Sequence, residues 1–169
     1  MTAIHSPWAA ARRVLAIRLD SLGDVLMTTP ALAALREGLP SAHVGLLTSP
    51  SGAALAPHLP QLDEVVAWSV PWVAPRTAQP HARPLGQDEL ALVERLAAGH
   101  YQAAVIFTVC TQSALPAALL CRMAGIPLRL AHCRENPYGL LSHWVPDHDH
   151  PPDRMRHEVR RQLGLVASV

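Results

Sequence analysis

Lysine is absent: the 14 basic residues of this 169-residue chain are all arginine. Arginine carries a planar fork suited to phosphate or carboxylate, yet a bias spread along the whole chain reflects composition and marks no site. An excess of charge is lacking too, the formal net charge being +1. That excludes the clustered basic surplus of a dedicated nucleic-acid binder, and no nucleic-acid partner is expected. Cysteines are few. Cys110, Cys121 and Cys133 lie far apart with no Cys-x-x-Cys pair, which removes paired-cysteine zinc sites and dithiol exchange and fits reduced thiols in the cytoplasm. No apolar run reaches the ~20 residues of a membrane span; LPAALLCRMAGIPL is interrupted by Arg122, Gly125 and Pro127. The opening MTAIHSPWAAARR lacks a charged segment leading into an apolar core, so it does not read as a secretory signal. Any membrane contact is expected to be peripheral.

What is present is apolar and regular. Half of the residues are hydrophobic, which argues against disorder, and the length suits one domain over residues 1–169. Short apolar runs alternate with helical patterns. RVLAIRL (13–19), HVGLLT (43–48), DEVVAW (63–68), QAAVIFTV (102–109) and IPLRLAH (126–132) read as strands. Helices are expected over 25–39, within 49–59, and over 87–100, 112–125 and 154–167, with Pro30 tolerated only near the first turns of its helix. This alternation predicts an α/β fold, an open and mainly parallel Rossmann-like sheet with helices on both faces. The Pro-rich segment 69–86 is too long for an ordinary connection and reads as a functional or a mobile loop. The Pro and His content of 133–153 predicts no regular structure there.

Open parallel sheets bind ligands beyond the carboxyl ends of their strands, where the strand order reverses. At the end of the first strand stands RLDSLGDVL (18–26). Ser21 followed three residues later by Asp24, ahead of an apolar helical run, fits a capping box, in which hydroxyl and carboxylate satisfy free backbone N–H groups. The same turn also fits a working site. Gly23 lets a backbone approach a ligand closely, and the amides of a helix start attract anions. It is neither Gly-x-Gly-x-x-Gly nor a Walker loop, so a generic nucleotide-binding motif is excluded. Spacing alone leaves cap and site open.

The run VLAIRLDSLGDVLMTTPALAALREGLP closely resembles the N-terminal signature of the heptosyltransferase-like glycosyltransferases of family 9. That signature reads as an apolar strand, a basic residue, a Ser-x-Gly-Asp turn and a helix containing Thr-Pro-Ala-Leu. The similarity continues through HVGLLTSPSGAALAPHLPQLDEVVAW, YQAAVIF and RHEVRRQLGLV. It implies that Asp24 is the general base that takes a proton from an acceptor hydroxyl attacking the anomeric carbon of a nucleotide-sugar such as ADP-heptose, with inversion. It implies that Arg18 neutralises an acceptor phosphate or carboxylate, with a strand-end surface charge as the alternative, while Ser21 and Gly23 shape the turn. Members of the family have two Rossmann-like halves facing a cleft, the GT-B arrangement. This chain matches the N-terminal, acceptor-binding half, and the donor-binding half is absent from it.

Three accounts follow from that absence: an excised or truncated piece of a glycosyltransferase, which is preferred; a half-enzyme completed by a partner chain; or a stand-alone sugar- or nucleotide-binding module. An apolar surface or self-association is expected around the terminal helix. The resemblance implies a lipopolysaccharide-core acceptor, cytoplasmic chemistry at or near the inner membrane, no cofactor and no metal. Thr111, Gln112 and Ser113, after the strongest strand, are candidate acceptor contacts, although Thr111 and Ser113 fit helix caps equally well. His143, Asp147, His148, Asp149, His150 and Asp153 offer metal-ligand atoms, but their spacing on a Pro-rich segment defines no coordination geometry, and a solvated loop is the expected state. Arg134, Glu135, Asn136 and Tyr138 read as a turn. Trp68 and Trp72 either stack on sugar or lipid or anchor their loop to the core. His157, beside Glu158, reads as helix-surface punctuation.

Overall fold

A computed structural model of the chain describes residues 7–73, 84–149 and 155–169. Residues 74–83 of the Pro-rich segment, His150 and Asp153 of the histidine-rich stretch, and Arg154 of the expected last helix lie outside the described residues. Strands β1 (Arg13–Arg18), β2 (His43–Thr48), β3 (Glu64–Ala67), β4 (Ala103–Ile106), β5 (Leu128–Cys133) and β6 (His143–Pro146) form one sheet in the order β3-β2-β1-β4-β5-β6. Every neighbouring pair is parallel. Helices α1 (Leu22–Gly38), α2 (Pro50–Ala53), α3 (Gln87–Ala98), α4 (Leu115–Met123) and α5 (Glu158–Val166) make the crossovers and the terminal cover.

Parallel strands buried on both faces need apolar side chains on both. In β1, Leu15 and Ile17 enter a core shared with Leu92 and Leu96 of α3 and with Ala117, Leu120 and Cys121 of α4. Val14 and Ala16, pointing the other way, join Leu32 and Leu35 of α1 and Leu165 of α5. The alternation of side chains along one strand thus sorts the helices into two layers.

Several elements depart from expectation: α4 and α5 begin at Leu115 and Glu158, later than the expected 112 and 154. Helix α1 starts at Leu22, three positions before the expected residue 25 because the cap lies at Ser21. Pro30 consequently sits in the helix interior, where it cannot donate to the Leu26 carbonyl; the Thr29 hydroxyl donates to that oxygen instead at 2.8 Å. The stretch 133–153, expected to be irregular, contains a 3-10 turn at Tyr138–Leu140 and strand β6, which pairs from Leu130↔His143 to Cys133↔Pro146. A proline closing an edge strand removes no bond the sheet needs, and Trp144 Nε1 adds a bond to the Cys133 carbonyl at 2.8 Å.

The expected solvated loop at 147–149 is also corrected. Asp147 and Asp149 are buried, 7% and 4% exposed, because both bind the buried guanidinium of Arg161 on α5 at 2.8–2.9 Å. Leu163 and Val166 of α5, and Val169 beyond its end, line an apolar cavity of about 430 Å³ with Trp8, Leu35 and Leu39. No helix among the described residues is long and apolar enough to cross a membrane.

Candidate functional site at the strand-order reversal

The chain runs from β1 outward to β3, then returns to lay β4 on the other side of β1. The loops leaving the carboxyl ends of β1 and β4 therefore diverge, and a crevice opens between them. A cavity of about 230 Å³ lies here, lined by Leu19 and Asp20 after β1, by Thr108, Thr111, Gln112 and Ser113 after β4, and by Trp72. Trp68 and Trp72 both pack against the core below, so Trp72 anchors its segment and walls the cavity together.

Arg18, the last residue of β1, is fully buried. Its Nε lies 2.7 Å from Asp20 Oδ2, its Nη2 3.2 Å from Asp24 Oδ1 and its Nη1 2.7 Å from Glu158 Oε1. Both sequence-based readings of Arg18 need correction. It is no surface charge, and with no exposed area it has no free fork to offer an acceptor phosphate. A buried charge persists only when paired. Here one guanidinium is spanned by carboxylates from the β1 exit, from α1 and from α5, so it positions the floor of the crevice.

Ser21 and Asp24 form the expected capping box. The Asp24 backbone N–H donates to Ser21 Oγ at 3.4 Å, and Asp24 Oδ2 accepts from the Ser21 N–H at 3.1 Å and from its hydroxyl at 2.7 Å. The Asp24 side chain nonetheless keeps 31% of its surface exposed. It is fixed from two sides and open on a third. Gly23 is exposed, and a Cβ there would meet nothing nearer than Ser21 Oγ at 3.7 Å. The chain's own packing does not demand glycine, which leaves the space above this backbone open to solvent.

Asp20 was passed over in the sequence, although it lies in the same stretch as Asp24. It is 7% exposed, and neither carboxylate oxygen has a hydrogen-bond partner of good geometry. The Arg18 Nε contact is short but too oblique to be one. Burial pushes the Asp20 carboxyl above its ordinary range, opposed by Arg18 and by the Gln112 amide. One signal could have found it: residues two apart along an extended strand end share a face, so an arginine at 18 ties the carboxylate at 20 to the same side. Glu158 carried no comparable signal, because its partner lies 140 positions away.

The three polar candidates after β4 are brought together on the cavity wall. Ser113 Oγ accepts from the Leu115 N–H at 3.2 Å and donates to Glu135 Oε1 at 3.1 Å. Helix α4 itself is capped at Ala114 without a side-chain bond. Thr111, Gln112 and Ser113 also border a smaller polar cavity of about 150 Å³ with His132, Arg134 and Glu135. Arg134 is engaged there by the Cys110 and Asp149 carbonyls. Asn136 closes a turn by accepting from the Tyr138 N–H at 2.9 Å. His157 is exposed at the α5 N-cap.

No protein-family model matches the chain, and no curated protein matches it. Solved structures do. The chain resembles the E. coli ADP-heptose lipopolysaccharide heptosyltransferase II at a TM-score of 0.67 and 21% identity, over 91% of this chain and 40% of that one. It resembles a family 9 glycosyl transferase from Veillonella parvula at 0.65 and 16% identity, over 92% and 40%. It resembles E. coli heptosyltransferase WaaC, solved with ADP-2-deoxy-2-fluoro heptose, at 0.65 and 22% identity, over 92% and 47%. The chain thus spans less than half the length of each. It has the six-stranded, all-parallel Rossmann-like fold that makes up about half of these GT-B glycosyltransferases.

Proposed function

We propose that this chain is the N-terminal, acceptor-side domain of an inverting, heptosyltransferase-like glycosyltransferase that works in the cytoplasm on a lipopolysaccharide-core sugar. The nucleotide-sugar donor, such as ADP-heptose, is bound by a second half carried on the same polypeptide or on a partner chain. The observation that carries this reading is Asp24: a carboxylate held by Ser21 and Arg18 yet partly open, in the first turn of α1; it does not itself line the cavity, but Arg18 ties it to Asp20, which does. In the proposed step an acceptor hydroxyl oxygen bonds to the anomeric carbon, the bond from that carbon to the nucleotide phosphate breaks, and the hydroxyl proton passes to Asp24. A fixed carboxylate contributes through position, since the acceptor oxygen must lie within hydrogen-bond reach and in line with the leaving group. Thr111, Gln112 and Ser113 orient the acceptor from the β4 side, Ser21 and Gly23 shape the turn, and Arg18 acts through the carboxylates it holds.

The test is transfer from ADP-heptose to a lipopolysaccharide-core acceptor, measured as ADP release in a chain that carries a donor-binding half. Asp24→Asn is expected to keep the fold and to lower kcat by about 10²- to 10⁴-fold. Full activity in that variant refutes the assignment.

A non-catalytic sugar- or nucleotide-binding module is the second reading, favoured by the engagement of Asp24 in the capping box. It predicts that Asp24→Ala weakens α1 and leaves acceptor affinity unchanged.

A further inference from the structure

We infer that Glu158, in the first turn of α5, is a positioning residue for Asp24, acting across the fold through Arg18 by reach and not by charge. Its effect on rate rests on the sugar-transfer reading; the coupling itself does not.

Charge does not require Glu158. Arg18 is a single buried cation, and Asp20 and Asp24 already bring two carboxylates to it. A buried charge needs a counter-charge; a third carboxylate exceeds that need and adds like charge to the group. Geometry does require it. Contacts at Nε and Nη2 alone leave a planar fork free to rock about the line between them. The third contact, Glu158 Oε1 at 2.7 Å from Nη1, fixes the plane. An acid at a helix start also suits the dipole of α5, but that role asks nothing of Arg18.

The distances give each carboxylate a different part. Asp20 and Glu158 lie 2.7 Å from the guanidinium and Asp24 lies 3.2 Å from it. The two short contacts anchor the fork, and the long one leaves Asp24 Oδ1 the least committed. Ser21 fills Asp24 Oδ2 with two bonds, so Oδ1 is the oxygen with room for a proton from outside. Glu158 is itself held. The same Oε1 accepts from Gln162 Nε2 at 2.6 Å, and that amide also donates to the Thr108 carbonyl at 3.0 Å. Gln162 is fully buried, and Thr108 follows β4 on the cavity wall. A continuous chain of contacts therefore runs from the β4 exit through α5 and Arg18 to Asp24, joining the two sides between which the crevice opens.

Two variants separate reach from charge. Glu158→Asp keeps the charge at the helix start and withdraws the oxygen from Arg18; Glu158→Gln keeps an oxygen in place and loses the charge. Transfer is measured as ADP release from ADP-heptose, with a lipopolysaccharide-core acceptor, in a chain that carries a donor-binding half. Glu158→Asp is expected to lower kcat by about 10- to 10²-fold with KM unchanged, and Glu158→Gln to stay within about threefold of the wild type. In an Asp24→Asn background Glu158→Asp is expected to cost nothing further, because residues that act as one unit are not additive. The coupling is read without transfer by NMR of the full 169-residue chain. There Glu158→Asp is expected to merge the separate Nη signals of the Arg18 fork and to shift the Asp24 carboxyl carbon. Should Glu158→Asp fail to fold, Gln162→Leu, which takes one bond from Glu158 and leaves every charge in place, is read by the same two signals. Unmoved Arg18 and Asp24 signals, a larger kcat loss in Glu158→Gln than in Glu158→Asp, or an equal loss with and without the Asp24 carboxylate overturns the proposal. Full transfer in Asp24→Asn, with the signals moved by Glu158→Asp, sinks the catalytic assignment of Asp24 alone.

Discussion

Arg161 is 1% exposed and satisfies two buried carboxylates, Asp147 and Asp149, that would otherwise face each other across the β6 exit. Removing one member of such a group strands the others without water. Arg161→Met is therefore expected to lower stability by about 3–5 kcal/mol, seen as a shift in the urea midpoint. The signs of the aspartate titrations differ across the molecule. Burial alone would push Asp147 and Asp149 up, but the Arg161 bonds, with Arg156 at Asp149, outweigh it and hold both below the ordinary carboxylate range. Their stabilisation is thus present above the unfolded value of about 3.9 and is lost as pH falls through the lower folded values. The acid limb of a stability–pH curve should lose part of its slope in Arg161→Met. Asp20 runs the other way, because burial leaves its folded value raised. It stabilises below its unfolded value, and that contribution disappears as pH rises through the folded one. At neutral pH the Asp20→Asn variant is expected to melt no earlier than the wild type, which a thermal scan checks; a markedly lower midpoint would mean that Arg18 depends on this partner for the fold itself.

Among the elements, α1 shows how much a sequence pattern can carry. The Ser21–Asp24 box was legible because its partners are three residues apart, and Ser21→Ala is expected to cost about 1 kcal/mol, measured by chemical denaturation. The placement of Pro30 was not legible, since its tolerance depends on Thr29 covering the Leu26 carbonyl. Strand β6 was not legible because its half-buried positions are His143 and Val145 while Trp144 and Pro146 are exposed, so its apolar residues do not track its inner face. Glycine spacing hid another long-range contact. A Cβ on Gly45 of β2 would lie 2.7 Å from the Tyr101 hydroxyl, which bonds Glu64 on β3 at 3.0 Å. Burial and that acceptor push the Tyr101 phenol up to about 12. Gly45→Ala is expected to cost about 1–3 kcal/mol through overpacking, with loss of the Tyr101–Glu64 bond visible as a fall in the phenol's titration midpoint.

For the whole molecule, the βαβ rhythm was enough to name the open parallel sheet, because parallel strands need both apolar runs and crossover helices; the likeness to one half of a GT-B chain came from the resemblance carried by VLAIRLDSLGDVLMTTPALAALREGLP. What chain order could not supply is the pairing of distant charges. Arg18 with Glu158, and Arg161 with Asp147 and Asp149, fasten the last helix to the carboxyl edge of the sheet, and nothing local to any of these residues announces its partner. Ending the polypeptide at His157 is accordingly expected to abolish cooperative unfolding, followed by circular dichroism on heating, since it strips Arg161, Gln162 and Leu165 from the interior together.

The Arg18 fork has one more mechanical meaning. Its three grips lie on a strand exit, a helix start and the closing helix, so it cannot swing without releasing one of them. A tilt of the closing helix, which carries Glu158, is thereby passed to Asp20 and Asp24 through one guanidinium.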